Sequence, residues 1–278
     1  MATREEAAEA KIMGNKYRSF LYGEGEKSTE WRHGGPPSFD KVDKLFEEGR
    51  TKVHVDGWMA FNPPPFSSLS LLIVARNLQE WPKGSLEETI QNALKSWDME
   101  FSHKTRLKDC KSINPDKFKL FVNGGEGTSG EEILRLGTYN VLLKNSLPKE
   151  FQYYKPEEET FESSHEAFRS TFPRGFAWEV LAVYTGPPEI VFKFRHWGFS
   201  EGPFKGHAPT GEMVQFSGLA TLKVDESLRA EEVELYYDPA ELFGGLLKGP
   251  PISESHTDHE ANKSSGATHG CPFSRQIV

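Results

Sequence analysis

The sequence has very little cysteine: only two residues of 278, Cys110 and Cys271. These two could pair in principle, but distant cysteines in a chain without a signal peptide indicate reduced thiols. The first residues, MATREEAAEAK, are acidic and alanine-rich, and they lack the apolar stretch of a cleaved signal peptide. We therefore expect a protein that is cytoplasmic, or also nuclear, and not secreted.

Long apolar runs and basic stripes are also missing. The most apolar window, around LSLLIVA, spans only eleven residues from Pro65 to Ala75, whereas a membrane-spanning helix needs about 20. Asp and Glu number 41 against 33 Lys and Arg, which gives a net charge of −8. Because no cluster of basic side chains offers a track for phosphates, we expect neither a membrane nor a nucleic acid as partner.

Composition divides the chain into five zones. Residues 1–35 are polar and glycine-rich, which favours a flexible N-terminal arm, and residues 36–52 have the apolar spacing of a short helix joining the body. Residues 53–79 form an insert around Pro63, Pro64 and Pro65. Residues 80–247 have the pattern of a folded domain. Residues 248–278 are rich in Ser, Gly, Pro, Thr and His, which is typical of a disordered tail.

Within the folded domain, helix signals come first and strand signals follow. The capping pattern Ser-x-x-Glu occurs at Ser85, Ser129 and Ser163, each time ahead of apolar residues at helical spacing. After Pro173 the texture changes to alternation, in FAWEVLAVY, EIVFKFRHWGF, EMVQFSGLATLKV and AEEVELYY. This order predicts an α+β fold with helices packed on one face of a curved antiparallel sheet.

A longer motif carries a resemblance. The stretch GPFKGHAPTGEMVQFSGLATLKV, followed by a strand that ends in Asp238, resembles the end of SnoaL-like domains of the nuclear-transport-factor-2-like superfamily. The motifs WRHGGPP, LFEEGRTK, WPKGSLEE, FVNG, SSHEAFRSTFPRGFAWEV and FKFRHWG are similar to those of plant pathogen-related proteins. Together they cover roughly residues 15–52 and 80–250. The resemblance implies the cone-shaped, cystatin-like arrangement of helices on a curved sheet.

The insert interrupts this resemblance. In the family, EEGRTK runs almost directly into WPEGSLEE, whereas residues 53–79 separate the two motifs here. Codons for Val53 begin with GT and Gln79 can be encoded by CAG, which are the ends expected of a spliced intron. We therefore predict that residues 53–79 are a poorly ordered retained-intron segment; the alternative is a genuine surface loop. A transcript population that uniformly carries the segment would contradict the intron hypothesis.

Two residues are candidates for acid–base chemistry. The resemblance implies a carboxylate, often with a histidine, inside an apolar cavity that tunes its pKa. Asp238 matches the aspartate after the last strand, although the sequence DPAE also suits an N-terminal helix cap. His196 falls on the apolar face of its strand and is either a pocket residue or a hydrogen-bonded core residue. The predicted ligand-binding side chains are Trp97, Tyr139, Trp178, Phe192, Phe194 and His196, which could equally fill the core.

Three functions remain open. The first is a defence-associated pathogen-related protein whose domain holds a small apolar molecule, with no demonstrated activity. The second is a SnoaL-type isomerase, cyclase or dehydratase that uses Asp238 or His196. The third is a non-catalytic module that forms a homodimer or docks a partner. We predict no cofactor and no metal, because the Glu-x-x-His pairs at Glu100 and Glu162 are as frequent as chance allows and the tail histidines lack fixed neighbours.

Overall fold

The computed structural model describes residues 17–49 and 81–252. The predicted insert at 53–79 and the tail beyond residue 252 lie outside the described residues. The helices of the described residues are α1 (Ser19–Tyr22), α2 (Asp40–Gly49), α3 (Leu86–His103), α4 (Gly130–Leu136), α5 (Thr138–Leu142), α6 (Phe161–Thr171) and α7 (Pro239–Leu246). The strands are β1 (Lys119–Val122), β2 (Thr128–Ser129), β3 (Ala177–Val183), β4 (Glu189–Phe199), β5 (Met213–Val224) and β6 (Ala230–Tyr237).

The six strands form one sheet in the order β2-β1-β6-β5-β4-β3. The four predicted strands, β3 to β6, are confirmed and pair antiparallel in sequence order. The prediction of a purely antiparallel sheet was wrong at one side, where β1 pairs parallel with β6. Sequence patterning missed β1 because KLFV is too short to show a period, and its partner strand lies more than a hundred residues away. The α+β class is confirmed.

Helix α3 packs on the sheet. Its buried residues Ile90, Leu94, Trp97 and Phe101 recur at helical spacing and join the main hydrophobic core. The predicted cap is confirmed, since the Ser85 side chain accepts the backbone N–H of Glu88 at 3.1 Å. The capping box at Ser129 is also present.

The third predicted cap was wrong. Helix α6 begins at Phe161, where the Thr160 side chain accepts the N–H of Ser163 and Ser163 accepts the N–H of Thr160. Ser163 is therefore the third helical residue and not the cap. Thr160 and Ser163 are both possible caps at this end of the helix. The helix begins after Thr160, where Phe161 becomes a buried first residue.

A side chain of α3 completes the free edge of the sheet. The Gln91 amide donates to the Trp178 carbonyl at 2.8 Å and accepts the Val180 N–H at 2.8 Å. Both backbone groups belong to β3, the last strand in the sheet order, next to a register shift between Val180 and Ala182. The side chain thus replaces two hydrogen bonds that a neighbouring strand would make.

The N-terminal segment packs on the helices and also on the sheet face opposite α3. From residue 17 on, the predicted arm packs on the helices; the Arg32 N–H donates to the His103 carbonyl at 2.8 Å, and the Arg32 guanidinium lies 3.6 Å from the Phe161 ring centroid. Helix α2, within the predicted 36–52 helix, places Leu45 and Phe46 in a small second core with Ala177 and Trp197. By strand alternation, this core lies on the sheet face opposite α3.

A buried ion network fixes this segment to the end of α3. Lys104 is fully buried, and its Nζ donates to the carbonyls of Phe20 and Asp109 and to Glu100 Oε1, each at 2.7 Å. Glu26 adds an ion pair at 2.9 Å. Every proton of the ammonium therefore has an acceptor, which is what a buried charge requires.

Two further observations concern membrane insertion and thiol reactivity. No helix of the described residues is long and apolar enough to cross a membrane. Cys110 is a free, buried cysteine, and burial raises the pKa of its thiol above the ordinary value. The reactive thiolate form is therefore suppressed at this position. Cys271 lies outside the described residues.

Candidate functional site

Five of the six predicted ligand-binding side chains lie together where α3 packs on the sheet. Trp178 and His196 are directly opposite each other on β3 and β4, and Trp97 of α3 lies with its ring centroid 5.5 Å from that of Trp178. Phe192 and Phe194 follow along β4 and are fully buried in the same core. We call the group formed by Trp97, Trp178, His196 and their ring neighbours Phe176 and Phe216 the aromatic wall.

His196 is enclosed by rings. Its centroid lies 3.9 Å from that of Phe176 and 5.4 Å from those of Trp178 and Phe216, and the residue is 6 % exposed. Burial lowers the pKa of His196 to about 3, since the surrounding rings offer nothing that solvates an imidazolium. The ring is therefore neutral near pH 7, which fits a hydrogen-bonding role better than proton transfer.

Three nitrogen atoms of the aromatic wall have no hydrogen-bond partner within the described part of the chain. They are Nε1 of Trp97, Nε1 of Trp178 and Nδ1 of His196, and all three are buried. A buried polar atom left without a partner costs about 1–3 kcal/mol, and native proteins contain few of them. Three on adjoining rings indicate a place where a ligand atom or an ordered water completes the bonding.

A carboxylate that sequence reasoning missed lies one residue beyond this wall on α3. Asp98 is half-buried, and burial raises the pKa of its carboxyl to about 6. Among the described residues, its side chain has neither a hydrogen-bond partner nor an ion-pair partner. Burial, and not a charged neighbour, is therefore what disfavours the ionised form of this carboxyl.

Tyr139, the remaining predicted ligand residue, lies near Asp98. Its ring stacks on Phe168 at 4.0 Å, and its hydroxyl has no hydrogen-bond partner in the described part of the protein. Burial, the charge of Asp98 and the neighbouring Tyr154 raise the pKa of the Tyr139 hydroxyl well above its ordinary value. The Asp98 carboxyl is an unpartnered acceptor and the Tyr139 hydroxyl an unpartnered donor, and the charge of the first acts on the second.

Asp238 occupies a different place. Its Oδ1 accepts the backbone N–H of Ala240 at 2.8 Å, and Pro239 is the first residue of α7, so the capping role that DPAE predicts is confirmed. The side chain is exposed and lines a cleft of about 610 Å³ with Phe243. None of the six predicted ligand residues lines this cleft. The structure therefore brings the aromatic candidates together and sets Asp238 apart from them.

The low pKa of His196 makes a testable prediction about acid stability. The pKa of a histidine in an unfolded chain is about 6.5, whereas that of His196 in the folded protein is about 3. Between these two pH values the unfolded chain binds a proton at this histidine and the folded chain does not. Stability must then fall as pH drops through this window, by about 2 kcal/mol at pH 5. We expect His196→Phe to remove this loss. Urea unfolding of both proteins at pH 7.5 and 5.0 measures it, and an unchanged difference between the two pH values would contradict a neutral His196.

The chain is similar to known proteins, weakly in structure and more strongly in sequence. No protein-family model matches the chain. The solved structures that it matches include a candidate SnoaL-like polyketide cyclase from a Jannaschia species (14 % identity, 61 % of this chain and 99 % of that chain, TM-score 0.35). They also include an epoxide hydrolase from M. tuberculosis described as LEH-like (13 % identity, 59 % of this chain and 84 % of that chain, TM-score 0.31). Neither bears on what this chain does.

A relative in sequence is far more similar. The barley (Hordeum vulgare) "Pathogen-related protein" is 42 % identical over 270 residues, which cover 96 % of this chain and 98 % of the barley protein. The match extends over nearly the whole of both chains, so it is not confined to one shared motif. The chain belongs to the pathogen-related protein family.

Proposed function

We propose that the protein is a defence-associated, cytoplasmic protein whose domain binds one small, neutral and largely apolar molecule at the aromatic wall. The observation that carries the binding proposal is the set of unpartnered buried nitrogens of Trp97, Trp178 and His196. The defence context comes from the name of the barley relative. Cofactors and metals have no role in the proposal.

The chemistry of the wall narrows the ligand class. The rings supply broad, flat apolar contact, and the two indole nitrogens are donors only. The neutral His196 ring either donates or accepts at Nδ1. Because the wall holds no cation, an anionic ligand would lose its hydration without a compensating charge. A hydrophobic molecule with one or two acceptor oxygens, such as a carbonyl or ether, fits these groups best.

Binding is tested with matched tryptophan variants. We expect the full-length protein, purified from plant tissue and weighed by native mass spectrometry, to carry a reproducible small-molecule mass. Trp178→Phe keeps an aromatic ring but removes the N–H, so the affinity should fall about fivefold, the worth of one hydrogen bond. Trp31→Phe, on the N-terminal segment, is the control and should retain the ligand. A bare chain mass in every preparation would refute the proposal.

A second candidate function is proton transfer, with Asp98 in the role that sequence reasoning gave to Asp238 or His196. Its support is the unpartnered carboxyl with a pKa raised to about 6 beside the unbonded hydroxyl of Tyr139, since a base poised near neutral pH transfers protons efficiently. An isomerisation, cyclisation or dehydration of the bound molecule would follow. Asp98→Asn separates the functions: it should abolish turnover of the identified ligand and leave binding in place.

The third candidate, a homodimer, has its own support. The exposed large apolar side chains of the sheet's outer face include Leu219 (47 %), Tyr236 (46 %) and Met213 (38 %). Leu219 and Tyr236 are directly opposite each other on β5 and β6, so they form one patch. Helix α2 covers Ala177 and Trp197 on β3 and β4 and leaves this patch open. Sedimentation of the purified protein distinguishes monomer from dimer.

A further inference from the structure

The cleft beside Asp238 has the size and lining of a ligand site. It encloses about 610 Å³ between β1, α5, α7 and residues 144–153, within the range of small-molecule pockets. Its floor consists of the buried residues Leu120, Val141 and Phe243. It shares no lining residue with the aromatic wall, so whatever binds in it is independent of the function proposed above. We call it the α7 cleft.

The rim of the α7 cleft exposes large apolar side chains. Leu147, Phe151 and Tyr153 are 53, 62 and 66 % exposed and all line the cleft. The Tyr153 ring centroid lies 6.1 Å from that of Phe243, so a rim side chain and a floor side chain form one continuous aromatic surface. A cluster of exposed apolar side chains indicates a binding surface, whereas single exposed apolar residues are ordinary.

Three side chains of the α7 cleft have acceptor oxygens with unused capacity. Asp238 uses Oδ1 for the Ala240 N–H, and within the described residues its other oxygen accepts nothing. The Glu126 carboxylate has no partner in the described ranges. Gln152 Oε1 is buried and unpartnered, while its amide nitrogen donates to the Leu147 carbonyl at 2.6 Å. A ligand for these groups must supply donors.

The charges favour a cation. The lining holds two carboxylates, on Asp238 and Glu126, and one ammonium, on Lys144. The two carboxylates therefore outnumber the ammonium within the lining. The exposed aromatic faces of Phe151 and Tyr153 also attract cations.

We propose that the α7 cleft binds a monocationic amine with an apolar body. The apolar part lies on Phe243 and Leu120. The ammonium lies at the acceptor end, where Asp238, Glu126 and Gln152 receive its protons. The charge gives the site its selectivity, because the same body without the ammonium leaves these acceptors unpaired.

Three probes with the same phenylethyl body but different head groups test this proposal on the full-length protein by calorimetric titration at pH 7. The expected result is that 2-phenylethylamine binds about tenfold more tightly than 2-phenylethanol, and that 3-phenylpropanoate binds most weakly. Asp238→Asn keeps a good helix cap and, like Glu126→Gln, should weaken amine binding about two- to fivefold. Glu131→Gln, at an exposed carboxylate outside the cleft, should change nothing.

Several results would overturn the proposal. Equal binding of amine and alcohol would show that the carboxylates do not select the ligand. Tightest binding of the propanoate would give the selective role to Lys144. Amine binding that persists unchanged in Asp238→Asn and Glu126→Gln would place the amine elsewhere, as would binding that Trp178→Phe abolishes. Absence of saturation by the amine at millimolar concentration would exclude the site.

Discussion

Replacing Lys104 by methionine is expected to lower the free energy of unfolding by about 3–5 kcal/mol, the cost of breaking a buried ion pair by removing one partner. Methionine fills much of the same volume, so the loss reflects the charge and not a cavity. Glu100 and Glu26 would keep their negative charges in a buried place, with Lys111 as the nearest remaining cation to Glu26. Urea unfolding followed by circular dichroism measures the change.

Two controls sharpen this prediction. Lys223→Met breaks an exposed pair with Glu232, at 3.1 Å, and should leave the stability almost unchanged, because solvent screens an exposed ion pair. Adding Glu100→Gln to Lys104→Met removes one uncompensated charge and should recover part of the loss. Because Lys104 also holds the Phe20 carbonyl, limited proteolysis should reach the segment around Phe20 sooner in the variant. A loss as small as that of the Lys223 control would mean that the network does not stabilise the fold.

Replacing Asp98 by asparagine is expected to stabilise the protein at pH 8 by about 2–3 kcal/mol. Burial raises the pKa of Asp98 to about 6, against about 3.9 in an unfolded chain. Between these values the folded protein holds a proton that the unfolded chain releases, so stability falls as pH rises through this window. Asparagine does not titrate, so the stability of the variant does not fall as the pH rises. The variant is therefore more stable than the original protein above pH 6 and equally stable near pH 4.

Urea unfolding at pH 4.5, 6 and 8 tests this prediction, with Asp116→Asn, at an exposed carboxylate, as the control that should show no such trend. If the variant is more stable but loses turnover, Asp98 shows the trade-off between stability and activity that is common at functional groups. If Asp98→Asn instead destabilises the protein at pH 8, the carboxylate is a structural acceptor and the proton-transfer function fails with it.

Local signals predicted the local structure well. The spacing of Ile90, Leu94 and Trp97 and the Ser85 cap predicted α3, and alternation predicted β3 to β6, because these patterns arise from neighbouring residues. The parallel pairing of β1 with β6 depends on where a distant strand lies. No pattern within KLFV carries that information, so the sheet could not be completed from the sequence.

The same distinction applies to the candidate site. Alternation along β4 placed His196 and Phe194 on the buried face, and DPAE predicted the cap at Asp238. Asp98 was missed because an aspartate next to Trp97 on a helix has the pattern of an ordinary solvated residue. Its raised pKa arises from burial, and that burial exists only once the fold has formed. Whether residues 53–79 belong to the natural transcript stays a prediction that messenger sequencing tests.

The Gln91 side chain on β3 affects how copies of the protein can meet. An exposed edge strand presents free N–H and C=O groups on which another molecule's strand can add, which is a route to aggregation. Gln91 occupies two of these groups, and the opposite edge is β2, which is only two residues long. A six-stranded sheet therefore offers little template for strand addition at either end. We therefore expect any association between copies to use the faces of the sheet, where side chains and not backbone groups determine the fit.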